Sequence, residues 1–69
     1  MTSLQDRLLA AHARDDRKAL AVLYTEAADA TDDLDTACFY LTHAYIFALE
    51  KGDSAADALY QRLRAHGRV

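Results

Sequence analysis

Apolar residues in this chain recur at helical spacing and are broken at intervals by short acidic turns. Leu20, Leu23, Tyr24 and Ala27 mark one amphipathic run, with Lys18, Thr25 and Asp29 on its opposite side; Ala56, Leu59, Tyr60 and Leu63 mark another. Capping residues precede each run. Thr2 followed by Gln5 has the form of a capping box and places the start of helix one at Thr2 or Ser3, running to about Arg14. Asp15 or Asp16 opens helix two. Thr31-Asp32-Asp33-Leu34 lacks apolar rhythm and forms the longest loop, with Asp33 or Asp35 at the start of helix three, where negative charge meets the positive end of the helix dipole. That helix runs from about Asp35 to Lys51 and stops at Gly52 through a left-handed residue. Asp53 or Ser54 caps helix four, the Ser54–Asp57 spacing has the form of a second capping box, and Gly67 ends the helix.

The pattern occurs twice. Leu9-Ala10-Ala11-His12-Ala13-Arg14-Asp15-Asp16 and the later Leu23-Tyr24 return as Ile46-Phe47-Ala48-Leu49-Glu50-Lys51-Gly52-Asp53 and Leu59-Tyr60, with the Asp offset by 37 residues and the Leu-Tyr pair by 36. A period of this length marks a helical-hairpin repeat, whose units bury their apolar faces only by stacking. The expected fold is all-α: a single domain of four short helices in two antiparallel hairpins, about 3–30 and about 34–66, with helix three central against helices two and four.

Asp15-Asp16, Leu20, Tyr24 and Ala27 in the first unit, and Leu41, Ala44-Tyr45, Gly52-Asp53 and Ala56 or Ala58 in the second, resemble the helix-turn-helix unit of the tetratricopeptide repeat family. The first turn lacks the family's Gly, and no Pro closes either unit. The resemblance implies protein or peptide binding on a helical surface. It implies nothing about catalysis.

Helix three carries two apolar surfaces when its residues are placed at intervals of about 100°. Ala37, Leu41, Ala44 and Ala48 line up as a seam that lets a neighbouring helix approach closely. On the far side Phe39, His43, Ile46 and Glu50 form a stripe flanked by Tyr40 and Phe47, where a solvent face is expected. The stripe is either covered by helix one or helix four, or exposed in the monomer and met by another chain. Its mixture of polar and large apolar groups has the character of an interface.

Composition sharpens this picture. In 69 residues, 52% hydrophobic and 28% charged, there is too little polar surface to coat so small a globule, and intrinsic disorder is excluded. The absence of Pro and the presence of only two Gly fit helices. A net charge of −3 argues against a general nucleic-acid partner, and Arg62, Arg64, His66 and Arg68 read as cations favouring the negative end of helix four. The longest apolar stretch, the 13 residues Ala37 to Leu49, is too short to cross a bilayer. The amino terminus lacks the pattern of a secretory signal, so a cytoplasmic location is expected.

Candidate chemistry is sparse. Cys38 reads as a small buried thiol; on a helix it points about 140° away from His43, so the two form no nucleophile pair. His12, His43, His66 and Cys38 match no zinc spacing, and Asp29, Asp32, Asp33 and Asp35 lack the Gly and terminal Glu of a calcium loop. No cofactor or metal is expected. The expected function is a small non-catalytic interaction module, an adaptor or regulatory subunit acting as a homodimer or on a larger protein, because two repeats are fewer than a stable array usually needs. The alternative is an enzyme or small-ligand binder with a pocket between the hairpins lined by Tyr24, Tyr40 and His43.

Overall fold

The computed structural model describes residues 3–68, which form four helices: α1 (Leu4–Ala13), α2 (Arg17–Asp29), α3 (Leu34–Glu50) and α4 (Ala55–Ala65). No strand occurs among the described residues. The chain is all-α, as its pattern requires.

Short polar side chains start the helices by accepting otherwise unpaired amides. Thr2 lies outside the described residues, and Ser3 caps α1, its hydroxyl oxygen accepting from the Asp6 amide at 3.1 Å. Of the two aspartates before α2, Asp16 is the cap and accepts from the Ala19 amide at 3.2 Å. Asp33 caps α3, accepting the Thr36 amide at 3.0 Å and the Thr36 hydroxyl as well, while Asp35 sits in the first turn. The Ser54–Asp57 capping box does not form. Ser54 already has helical dihedrals (φ −60°, ψ −20°), which turn its hydroxyl away from the amides it would cap, and Asp53 accepts the Ala55 amide at 2.9 Å in its place.

The two tight turns share one construction. At the end of α3, Gly52 (φ +64°) donates to the Leu49 carbonyl at 3.0 Å and Asp53 to the Ala48 carbonyl at 2.9 Å, the paired bonds of a left-handed helix stop. Asp15, at φ +53°, does the same after α1, where the first turn has no Gly: Asp15 donates to the His12 carbonyl at 3.1 Å and Asp16 to the Ala11 carbonyl at 3.0 Å. Aspartate is one of the few residues that visits this region, at some cost. In each turn one Asp, Asp16 or Asp53, therefore acts twice, its amide closing one helix and its carboxylate opening the next.

Packing follows chain order. α1 lies on α2, α2 on α3 and α3 on α4, while no Cα of α1 comes within 8 Å of α3, nor any of α2 within 8 Å of α4. Short connections make the α1–α2 and α3–α4 pairs antiparallel hairpins. The helices form a slab measuring 33 × 28 × 13 Å.

The repeat is carried into burial. Leu20, Leu23 and Ala27 on α2 and, 36 residues later, Ala56, Leu59 and Leu63 on α4 are all buried, and Ala11 and Ala48, 37 apart, are both 0% exposed. Tyr60 is not on that buried face; it is 38% exposed beside Tyr45. The seam of α3 is core: Leu41, Ala44 and Ala48 are buried with Ala21 and Ala28 of α2 and the Cys38 thiol. Ala37 is half-buried at its edge.

Two measurements check the caps and turns. No atom would lie within 4 Å of a Cβ on Gly52, so the cost of Gly52→Val is backbone strain alone, about 1 kcal/mol or more in urea denaturation. Asp15→Gly relieves the same strain and is expected to be neutral or slightly stabilising, with Asp15→Val as damaging as Gly52→Val. The hydrogen bonds from Thr36, hydroxyl first and then amide, hold the Asp33 carboxyl below its ordinary value of 3.8. The unfolded chain therefore takes up that proton at a higher pH than the folded one. The stabilisation is complete above the ordinary value and is lost as pH falls through the depressed one. Thr36→Ala should move the Asp33 titration back toward 3.8, read by NMR of its carboxyl carbon.

Candidate functional site

The residues with any prospect of function lie on α3 and on the α2 surface beside it. α3 is flanked by α2 along Tyr40, His43 and Phe47 and by α4 along Tyr45. The strip between those flanks, opposite the buried seam, points out of the slab. Phe39 is 59% exposed there and Ile46 48% exposed, so neither α1 nor α4 covers them. Thr42 and Glu50 are exposed and His43 half-buried on the same strip.

Tyr40 and Phe47, at the margin of the strip, are half-buried and turn toward α2. The Tyr24 ring stacks on Phe47 with centroids 5.8 Å apart and planes 12° from parallel. It meets His43 at 5.2 Å and Tyr40 at 6.1 Å. Its hydroxyl is 2.9 Å from His12 Nε2 on α1, and the His12 ring also meets the edge of Phe47 at 6.1 Å. An aromatic band thus crosses three helices, and Phe39, 4.5 Å from the His43 ring, carries it out to the exposed strip.

This band was only partly legible in the sequence. Tyr24, Tyr40 and His43 do come together between the hairpins, but their rings pack on one another and on Phe47 and occupy that space themselves. His43 is oriented from its own helix: Nδ1–H donates to the Phe39 carbonyl at 2.9 Å. His12 was not singled out as a partner of Tyr24. The signal was present, since His12 precedes the first turn as Leu49 precedes the second, but a polar residue at a repeat position gives no hint of which ring it will reach.

Charges at the ends of the strip are held by arginines distant in sequence. Arg17, in the first turn of α2, pairs with Glu50 and also lies 3.3 Å from Asp15; Arg68, just past α4, pairs with Asp35. Arg62 pairs with Asp29 in the same fashion. The acidic run and the basic tail, which look like separate features in the sequence, therefore meet at one end of the fold. Each pair is largely open to water and contributes little by itself.

Cys38 is 3% exposed, beneath a shallow hollow bordered by Asp35, Phe39, Thr42, His43 and Arg68. Among the described residues no three His, Cys, Asp or Glu side chains gather where a metal ion could be held, and no helix is long and apolar enough to cross a membrane. Comparison with known proteins finds no matching family model, no matching curated protein and no matching solved structure.

The aromatic band predicts a graded response. Phe47→Ala, which removes the stacking partner of Tyr24 and opens a cavity shared by both hairpins, should cost about 2 kcal/mol or more in urea denaturation. Tyr24→Phe keeps the stack and loses only a solvent-accessible hydrogen bond, at most about 1 kcal/mol. A larger loss for Tyr24→Phe would mean that the hydroxyl, not the ring contact, holds the hairpins together.

Proposed function

We propose that this chain is a small, non-catalytic protein–protein interaction module of tetratricopeptide-repeat-like build, an adaptor or regulatory subunit working in the cytoplasm through the exposed strip of α3. The observation that carries the reading is Phe39 and Ile46, 59% and 48% exposed on one helix face with His43 between them, in a chain this small. Large side chains left open side by side are a cost to a free monomer, and burying them against a second protein removes it. The internal hairpin repeat supports the same reading, because Leu9, 58% exposed, holds on α1 the place that Ile46 holds on α3. The His and Cys side chains of α3 are committed to its own packing: His43 to a carbonyl and two rings, Cys38 to the core.

Ile46→Glu tests it. Sedimentation and affinity capture with the wild-type chain should give a larger species, formed with itself or with another protein, that Ile46→Glu abolishes while its circular dichroism remains helical. Val22→Glu, at a position 58% exposed on α2, is the control and should leave association intact. Equal behaviour of both variants would overturn the assignment to the α3 strip.

A further inference from the structure

Where α2 meets α3, each helix brings a different kind of face. α2 sets Ala21 and Ala28 on either side of Tyr24, and α3 lays Tyr40, His43, Ala44 and Phe47 against them. The repeat puts a counterpart of each face at an end of the slab, because α4 repeats α2 at 36 residues and α1 repeats α3 at 37. Neither counterpart keeps the chemistry. On α4 the two alanines have become Asp57 and Arg64, and on α1 the four α3 residues have become Ser3, Asp6, Arg7 and Ala10, all six exposed.

Adding a hairpin of the same kind, as in head-to-tail stacking of two copies, would lay α1 of one on α4 of the other. Tyr60 stands there in the place of Tyr24, but Ala10 stands in the place of Phe47, so the ring stack that seats the internal junction has lost one of its rings. Arg7 and Asp57 take the places of Ala44 and Ala21, which are 0% and 3% exposed. Longer, charged side chains at those places hold the helix backbones apart. Arg7 is also engaged by Glu26 of α2 at 3.0 Å. Even where opposite charges met across such a junction, they would have to leave water, and that desolvation commonly outweighs the attraction within a buried ion pair.

We infer that the stack is closed at both ends: Asp6, Arg7 and Ala10 on α1 and Asp57 and Arg64 on α4 keep hairpins of this kind from adding at either one. Head-to-tail addition is heterologous and runs on as an open filament unless the rotation closes, so a repeat unit whose end faces matched each other would polymerise. Closure leaves association to contacts made across the helices. It is independent of whether the α3 strip takes a partner.

Two complementary variants of the full chain test this by sedimentation, each also carrying Ile46→Glu so that the strip takes no part. One has Asp57→Ala and Arg64→Ala, which open the α4 end; the other has Asp6→His, Arg7→Ala and Ala10→Phe, which open the α1 end and keep Ser3 as the cap of α1. Each alone should remain a monomer, because its other end is still closed. Mixed, they should form a 1:1 complex joined by a single junction, and all five changes in one chain should give species whose size keeps rising with concentration. Arg7→Ala with Ala10→Phe replaces the triple set if that variant loses its helical circular dichroism. Helical variants that do not combine would overturn the assignment to these five residues. An Ile46→Glu chain, otherwise unchanged, that sediments as an open series growing with concentration would overturn closure itself.

Discussion

The contact between α2 and α3 holds the molecule together, and its centre is the stack of Tyr24 on Phe47. These two rings pack against both hydrophobic clusters, the one inside hairpin one around Ala11, Leu20 and Leu23 and the one that joins hairpin two to α2. Neither cluster could be large in a chain of 69 residues, and a small domain has little stability to divide between separate cores. The rings make one cooperative unit of two hairpins. Beside them Ala21, Ala28, Ala44 and Ala48 keep side-chain bulk out of the seam, so that the helix backbones come close enough for the aromatic band to seat.

The repeat explains why stacking proceeds on one side of hairpin two and not on the other. On α2 the residues that meet the next hairpin are Ala21, Tyr24 and Ala28; on α4 the positions 36 residues later are Asp57, Tyr60 and Arg64, all exposed. Two charges have replaced two alanines. The α4 face is thereby made unfit to receive another α3-like helix, and Tyr60, the repeat counterpart of Tyr24, rests on Tyr45 of its own hairpin. Polar outer faces of this kind keep the end of a helical array soluble. Large apolar side chains are left open on other surfaces: Phe39, Ile46 and Leu49 on α3, Leu9 on α1 and Val22 on α2.

Ion pairs reinforce the same architecture without determining it. Arg17–Glu50 and Asp29–Arg62 both tie hairpin one to hairpin two, at opposite ends of the α2–α3 contact, and Arg7–Glu26 ties α1 to α2 at 3.0 Å. All are open to solvent, where screening leaves each with a small contribution. Their value is in register: a helix shifted by a turn would leave them unmatched.

The helices, their order, the repeat and the buried seam of α3 were all legible from the chain, because periodicity and capping are local. An alanine at every third or fourth place declares a close-packed face wherever the helix goes, and Asp before a helix or Gly after one acts within a single turn. The choice between neighbouring caps was less legible: Asp15 and Asp16 are chemically alike, and only the paired bonds of the α1 turn, which force Asp15 to positive φ, assign one to each task. Ser54 failed as a cap for a similar reason, since the turn through Gly52 had already placed Asp53 in reach of the Ala55 amide. What only the tertiary structure decided was the fate of the side chains that look alike on a helical wheel. Phe47 and Tyr40 went to the α2 contact while Phe39 and Ile46 stayed in water, because the angle at which α2 meets α3 covers one side of the strip and not its crest. That angle is set by alanines and rings from two segments of the chain together, and no single segment encodes it.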